Sequence, residues 1–354
     1  MRGLFNSDFG FTFSRSRTRT VVLFLAGLSV ASTIGAQTAA ELNSEAAKEI
    51  AASRFDAAIT KLRAAAQRFP NDGAIQLNLG FALIRKGRLA DALPPLRQAT
   101  QDSAVAAEAR FLIGADYFES GEYARAITEL GNLENPAHAE RALYMLEESN
   151  RRTGHVEEAK AAFHQLITRY PDSAWTHYLM GTAYEAQQQL DKAIDEYTKA
   201  LETDPSIPNA NFAIGYIYWR QQDTEKAREW LKKEASKGCH SLANFYLGEI
   251  ARSDHDLQTA ERLYRRALEC DPSSSEAHVR LGIVLADEKR YKEAIGHFKE
   301  AIRIQPNESS AHYHLAEVYS HTGQSVLAKS EYEKVREIQA AKDNGVNVTV
   351  PPKP

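Results

Sequence analysis

The sequence predicts an all-α solenoid of antiparallel helix pairs, and three observations predict it. The stretch Ala174 to Ile207 reads as helix, turn and helix, with Gly181, Tyr184, Ala193, Tyr197 and Ala200 where the two helices touch and Pro205 where the second stops. The same pattern recurs before and after it at a nearly fixed interval, so the 354-residue length counts repeats rather than domains. Residues 37–340 are consumed by such pairs, which leaves no stretch for another domain.

These residues resemble the tetratricopeptide repeat, whose 34-residue register has small residues at positions 8, 20 and 27, an aromatic at 24 and proline at 32. The resemblance implies a right-handed superhelix of about nine helix pairs. The first unit begins near Ala39, with Ala46, Phe55, Ala58, Ala65 and Pro70. The second, from Gly73, has Gly80, Gly87, Ala92 and Ala99, but Ala104 in place of proline. The third, from Ala107, carries Gly114, Tyr117, Gly121, Tyr123 and Ala126. The fourth, from Glu140, keeps Gly154, Ala159, Phe163 and Pro171 but puts Glu147 at the small position 8, which predicts a spread or rotated pair. Ala174 opens the fifth. The sixth, from Pro208, has Gly215, Tyr218 and Ala227, with Glu234 where alanine is usual. The seventh, from Ser241, has Gly248, Ala260, Tyr264, Ala267 and Pro272. Gly282, Tyr291, Ala294, Phe298, Ala301 and Pro306 make the eighth, from Ser275, a full match. The ninth, from Ser309, has Ala316, Tyr319, Gly323, Ala328 and Tyr332, and a disordered tail is expected over 341–354.

The third and sixth units are one residue short and lack proline at position 32. This predicts three modules of three repeats, 39–139, 140–240 and 241–340, joined near Gly131 to Pro136 and near Gly238. Residues 226–248 at the second joint also resemble the junction of Sel1-type repeats.

At the N-terminus Arg15, Arg17 and Arg19 precede the apolar run Val21 to Val30 and the small residues Ala31 to Ala36, the layout of a secretory signal with cleavage after Ala36. An uncleaved anchor over residues 21–36 is the other reading, though the run is short against the roughly 20 residues of a spanning helix. The expected address is therefore outside the cytoplasm, periplasmic or secreted, with any membrane contact made through residues 21–36. Residues 1–36 hold four arginines and Asp8, so the remainder carries a net charge of −7, which disfavours a nucleic-acid partner. The two cysteines would meet an oxidising compartment. Cys239 precedes the first helix of one repeat and Cys270 ends its second, where antiparallel helices bring their ends together: either a disulfide closes there or both are buried thiols.

No nucleophile elbow, zinc-protease, phosphate-loop or dinucleotide motif occurs, so neither catalysis nor a cofactor is expected. No metal site is expected either. His312 and His314 are two apart and point to different sides of a helix, whereas His177, His278 and His312 occupy position 4, a packing position.

In the family the first helices line a concave groove through positions 2, 5, 9, 12 and 13. Here those positions are aromatic mid-chain: Phe118, Tyr144, Trp175, Tyr178, Phe212, Tyr216, Trp219 and Phe245, with Phe212, Tyr216 and Trp219 spaced to share one helical face. Arg151, Arg152, Arg220 and Arg252 fall at positions 12 and 13. Aromatic anchors with arginines suit an extended segment of another protein, and the same rings could stack on a polysaccharide. An assembly role for the opposite, convex face is a further reading. The carboxylate clamp known in the family is not reproduced, since no repeat has lysine at position 5 with asparagine at position 9.

Overall fold

The computed structural model describes residues 37–131 and 137–343, all helix and turn; the expected signal segment and residues 344–354 lie outside them. Two compact units result, 37–207 and 208–343. The division falls between the fifth and sixth pairs, whereas the expected module joints lie one pair away on one side and between the third and fourth pairs on the other.

The first unit holds five pairs: α1 (Ala39–Ala51) with α2 (Phe55–Arg68), α3 (Gly73–Arg85) with α4 (Leu89–Ala99), α5 (Ala106–Glu119) with α6 (Tyr123–Leu130), α7 (Ala139–Thr153) with α8 (Val156–Arg169), and α9 (Ala174–Ala186) with α10 (Leu190–Thr203). The second holds four: α11 (Ala210–Arg220) with α12 (Thr224–Lys237), α13 (Ser241–Ser253) with α14 (Leu257–Cys270), α15 (Ser275–Asp287) with α16 (Tyr291–Ile304), and α17 (Ser309–His321) with α18 (Ser325–Asp343). The last helix runs three residues past the expected end of the solenoid at 340. Among the described residues no helix is long and apolar enough to cross a membrane.

Each first helix ends in a tight turn through position 15, and every such residue has a left-handed backbone: Gly87, Gly121, Gly154 and Gly323 with φ of 70° to 81°, and Ser53, Gln188, Gln222, His255 and Lys289 with φ of 57° to 63°. Side-chain caps then start many of the helices, among them Thr38, Asp72, Ser173, Asp223, Asp256 and Ser274, which accept from backbone N–H groups that have no partner within the helix.

Within a pair the small position 8 faces position 24. A β-carbon added at Gly181 would lie 2.7 Å from the Tyr197 ring, one at Gly248 2.7 Å from Tyr264, and one at Gly282 2.6 Å from Phe298. The opposing rings are almost fully buried, so the helices touch because nothing stands between them. Successive pairs are joined by a recurring polar link. The position-4 side chains of α3, α15 and α17 donate to the carbonyl of the proline that ends the preceding repeat: Gln76 Nε2 to Pro70 O at 2.8 Å, His278 Nε2 to Pro272 O at 3.2 Å and His312 Nε2 to Pro306 O at 3.1 Å.

The two cysteines form a disulfide, with Cα atoms 5.4 Å apart, that ties the start of α13 to the end of α14. Beside it Glu234, the residue that replaces alanine, is buried and accepts from Asn209 N–H and Asn211 Nδ2, both at 3.2 Å, at the start of α11. Asn209 Oδ1 in turn faces His240 Nε2 at 2.9 Å.

Candidate binding surface

In the second unit the one-face spacing on α11 is realised. Phe212 and Tyr216 have ring centroids 5.9 Å apart and near-parallel planes, and Tyr216 and Trp219 repeat that geometry at 5.9 Å. All three are half-buried, while Ile214, Gly215 and Ile217 on the packing side are buried. Arg220 is exposed and its guanidinium sits 5.9 Å from the Tyr216 ring.

Sequence reasoning missed the residue that holds this strip together. Tyr246 on α13 lies 5.1 Å from Tyr216, 4.7 Å from Trp219 and 6.0 Å from Phe212, and burial pushes its hydroxyl pKa well up. It stands at position 6, outside the groove positions carried over from the family, so only its adjacency to Phe245 could have signalled it.

Phe245 itself is a correction. It is 5% exposed, packed edge-on to Tyr246 and against Tyr264, so it belongs to the core and offers no binding surface. Arg252 is held 3.6 Å from Glu249, a carboxylate that also accepts from the Tyr264 hydroxyl and lies 3.4 Å from Arg280.

The first unit carries a separate aromatic cluster on α5, α7 and α9. Phe118 and Tyr144 are each 4% exposed and meet edge-to-face at 5.9 Å, which removes both from the list of surface contacts. The physical reason is a neighbour: Trp175 stacks on Tyr144 at 4.3 Å, and Tyr178 meets it edge-on at 5.9 Å, so the next repeat covers what position alone would leave open. Trp175 and Tyr178 remain half-buried. Arg151 and Arg152 both pair with Glu148, Arg152 at 2.6 Å and also 5.9 Å from the Tyr123 ring; both are thus engaged within the chain.

The position-4 histidines pack within their own pairs. His177 faces Glu196 at 2.8 Å, His312 faces Glu331 at 2.6 Å, and His278 Nδ1 meets His297 Nδ1 at 3.0 Å. Among the described residues no group of three or more His, Cys, Asp or Glu is placed to hold a metal ion.

Models of the tetratricopeptide repeat match residues 49–106, 82–140 and 141–173 in succession, and a model of the tetratricopeptide repeat protein 21 C-terminal ARM domain matches residues 172–330. The chain is a tetratricopeptide-repeat protein. This repeat protein is 24% identical over 166 residues to anaphase-promoting complex subunit CDC16 of Saccharomyces cerevisiae, covering 45% of the chain and 20% of that relative. It is 31% identical over 145 residues to superkiller complex protein 3 of Mus musculus, covering 38% of the chain and 9% of the relative. The tetratricopeptide-repeat chain thus spans a fifth or less of both relatives. A chain in the crystal structure of the APC/C hetero-tetramer Cut9-Hcn1 shares its fold, with a TM-score of 0.58 at 19% identity over 78% of this chain and 56% of that one.

Proposed function

We propose that the protein is a non-catalytic interaction scaffold outside the cytoplasm, which binds an extended segment of a partner protein on the aromatic face of α11. The observation that carries this reading is the run Phe212, Tyr216 and Trp219, three consecutive half-buried rings backed by Tyr246 and edged by Arg220. Large amphipathic rings with arginine supply much contact area at low conformational cost, and binding energy concentrates on such residues. Protein assemblies among the relatives, the anaphase-promoting and superkiller complexes, support a protein as the partner.

Two features support export: the basic and apolar layout of residues 15–36, and the Cys239–Cys270 disulfide, a bond that persists in oxidising compartments. An N-terminal sequence of the mature chain starting at Gln37 would support it, and one starting before Val21 would argue for a retained anchor.

A photo-crosslinking residue at Tyr216 should capture the partner in cells. Tyr216→Ala with Trp219→Ala should then weaken that partner's affinity at least about tenfold, roughly 1.4 kcal/mol, while the chain stays folded at the assay temperature. Unchanged affinity would refute the reading and shift attention to the opposite face. The near-parallel Tyr216 and Trp219 rings also suit the faces of sugar rings, so binding to a polysaccharide array that the same double variant abolishes would favour a glycan ligand.

A further inference from the structure

Beyond the aromatic strip the surface of the second unit becomes charged. Tyr246, Glu249 and Arg252 follow one another at three-residue steps and so form a row along α13. Trp219 lies 4.7 Å from Tyr246, which joins the row to the strip. At its far end stand two guanidiniums, Arg252 on α13 and Arg280 on α15.

One carboxylate ties these cations together. Glu249 Oε2 is 3.6 Å from Arg252 Nη2 and Glu249 Oε1 is 3.4 Å from Arg280 Nε, while the Tyr264 hydroxyl donates to the same Oε1. Glu276 Oε1 is 3.6 Å from Arg280 Nη2, but Glu276 is exposed and water screens its charge. Strong guanidinium–carboxylate bonds close to about 2.7–2.9 Å, and none of these pairs does. Arg252 Nε and Arg280 Nε have no hydrogen-bond partner. Both side chains are nevertheless open to solvent, 37% and 32% exposed, whereas Glu249 is buried. Two accessible cations thus lean on one buried carboxylate that already serves a tyrosine.

We propose that Arg252 and Arg280 receive an aspartate or glutamate side chain of the bound partner segment, next to the rings of α11. This rests on the scaffold reading above and adds the chemistry of one partner residue. A carboxylate can accept from both guanidiniums, or in parallel from one, and so supplies the short charge-assisted bonds that the chain itself does not make. Glu249 holds the two arginines in place and competes with the incoming anion, because it lies within ion-pair distance of both. Tyr246 is 5.1 Å from Tyr216, and Arg252 stands a further six residues, about 9 Å, along α13. An extended chain at about 3.3 Å per residue covers that interval in about five residues.

The test uses the full mature chain and fluorescein-labelled hexaglutamate, followed by anisotropy at low salt. Because residues 37–354 carry a net −7, an acidic peptide gains attraction only from a local site. Arg252→Gln with Arg280→Gln should weaken binding at least about tenfold while circular dichroism shows the fold retained. Lys292→Gln with Lys299→Gln removes the same charge from exposed positions of α16 and should change affinity less than about twofold. Glu249→Gln keeps the shape but removes the competing charge, so it should tighten binding at least about twofold, a gain that a purely structural role for Glu249 does not give. In the partner captured at Tyr216, the crosslinked peptide should carry Asp or Glu within about five residues of the crosslink. No binding of hexaglutamate, equal losses in the two double variants, weaker binding by Glu249→Gln, or a crosslinked peptide without a nearby acid would each overturn the proposal. If partner capture is still lost in the Tyr216/Trp219 variant, such a result overturns this inference alone and leaves the scaffold reading standing.

Discussion

Replacing Gly282 by alanine tests the packing of the stack most directly. The new β-carbon would sit 2.6 Å from Phe298 Cε1 and 2.9 Å from both Cδ1 and Cζ, where carbon atoms settle at about 3.5–4.0 Å. The ring must therefore retreat by close to 1 Å, and it has nowhere to go: Phe298, Ala294 and Ala301 are all 0% exposed. Overpacking of this kind costs about 1–3 kcal/mol. Alanine also recovers about 1 kcal/mol of helix propensity, which hides part of the cost. Gly296→Ala removes that ambiguity, because it makes the same chemical change in α16 with open space around the added carbon. The gap between the two variants isolates packing, and should be about 1–3 kcal/mol with Gly296→Ala the more stable. Urea unfolding followed by the fluorescence of Trp219 and Trp230 reads the unit that contains both sites. Combining Gly282→Ala with Phe298→Leu copies the Ala46 and Leu62 pair of the first repeat, both fully buried, and should recover much of the loss. A Gly282→Ala protein as stable as the Gly296→Ala protein would refute close contact at position 8.

Glu234→Ala restores the residue usual at position 27, yet should destabilise by about 1–3 kcal/mol, because Asn209 N–H and Asn211 Nδ2 lose their acceptor; a raised melting temperature would count against the cap. Removing both cysteines, Cys239→Ser with Cys270→Ser, should cost about 3–4 kcal/mol for the 31-residue separation, and the wild type with reductant should melt at the same lowered temperature. Burial, and then His278, pushes the His297 pKa down to about 4. The unfolded chain then takes up its proton first, so the contribution of His297 to stability should fall as pH drops from about 6.5 towards 4, by about 1–2 kcal/mol after allowance for solvent screening. His297→Gln should flatten that slope in melting curves recorded across the interval, and an unaltered slope would exclude this pair as its source.

The helix pairs were legible because their determinants are local. Gly181 against Tyr197, the position-15 turn and the prolines recur at one spacing, and each acts between residues close in sequence. The α11 strip was legible for the same reason, since Phe212, Tyr216 and Trp219 share a single helix. Phe118, Tyr144 and Phe245 were misplaced because their exposure depends on how the following first helix or the paired second helix covers them, which Tyr123 and Tyr144 decide for Phe118, Trp175 for Tyr144 and Tyr264 for Phe245. Glu147 and Glu234 were visible as departures from pattern, but sequence could not separate them: one meets the polar start of a neighbouring helix, the other keeps an oxygen without a partner.

The link from position 4 to the preceding proline carbonyl bears on where this chain can be cut. A fragment that begins at a repeat boundary, such as Ser275, keeps His278 but discards the Pro272 oxygen it donates to, and leaves its first helix with an idle donor. Exchangeable cassettes should therefore run from one proline to the next, so that each carries its own latch.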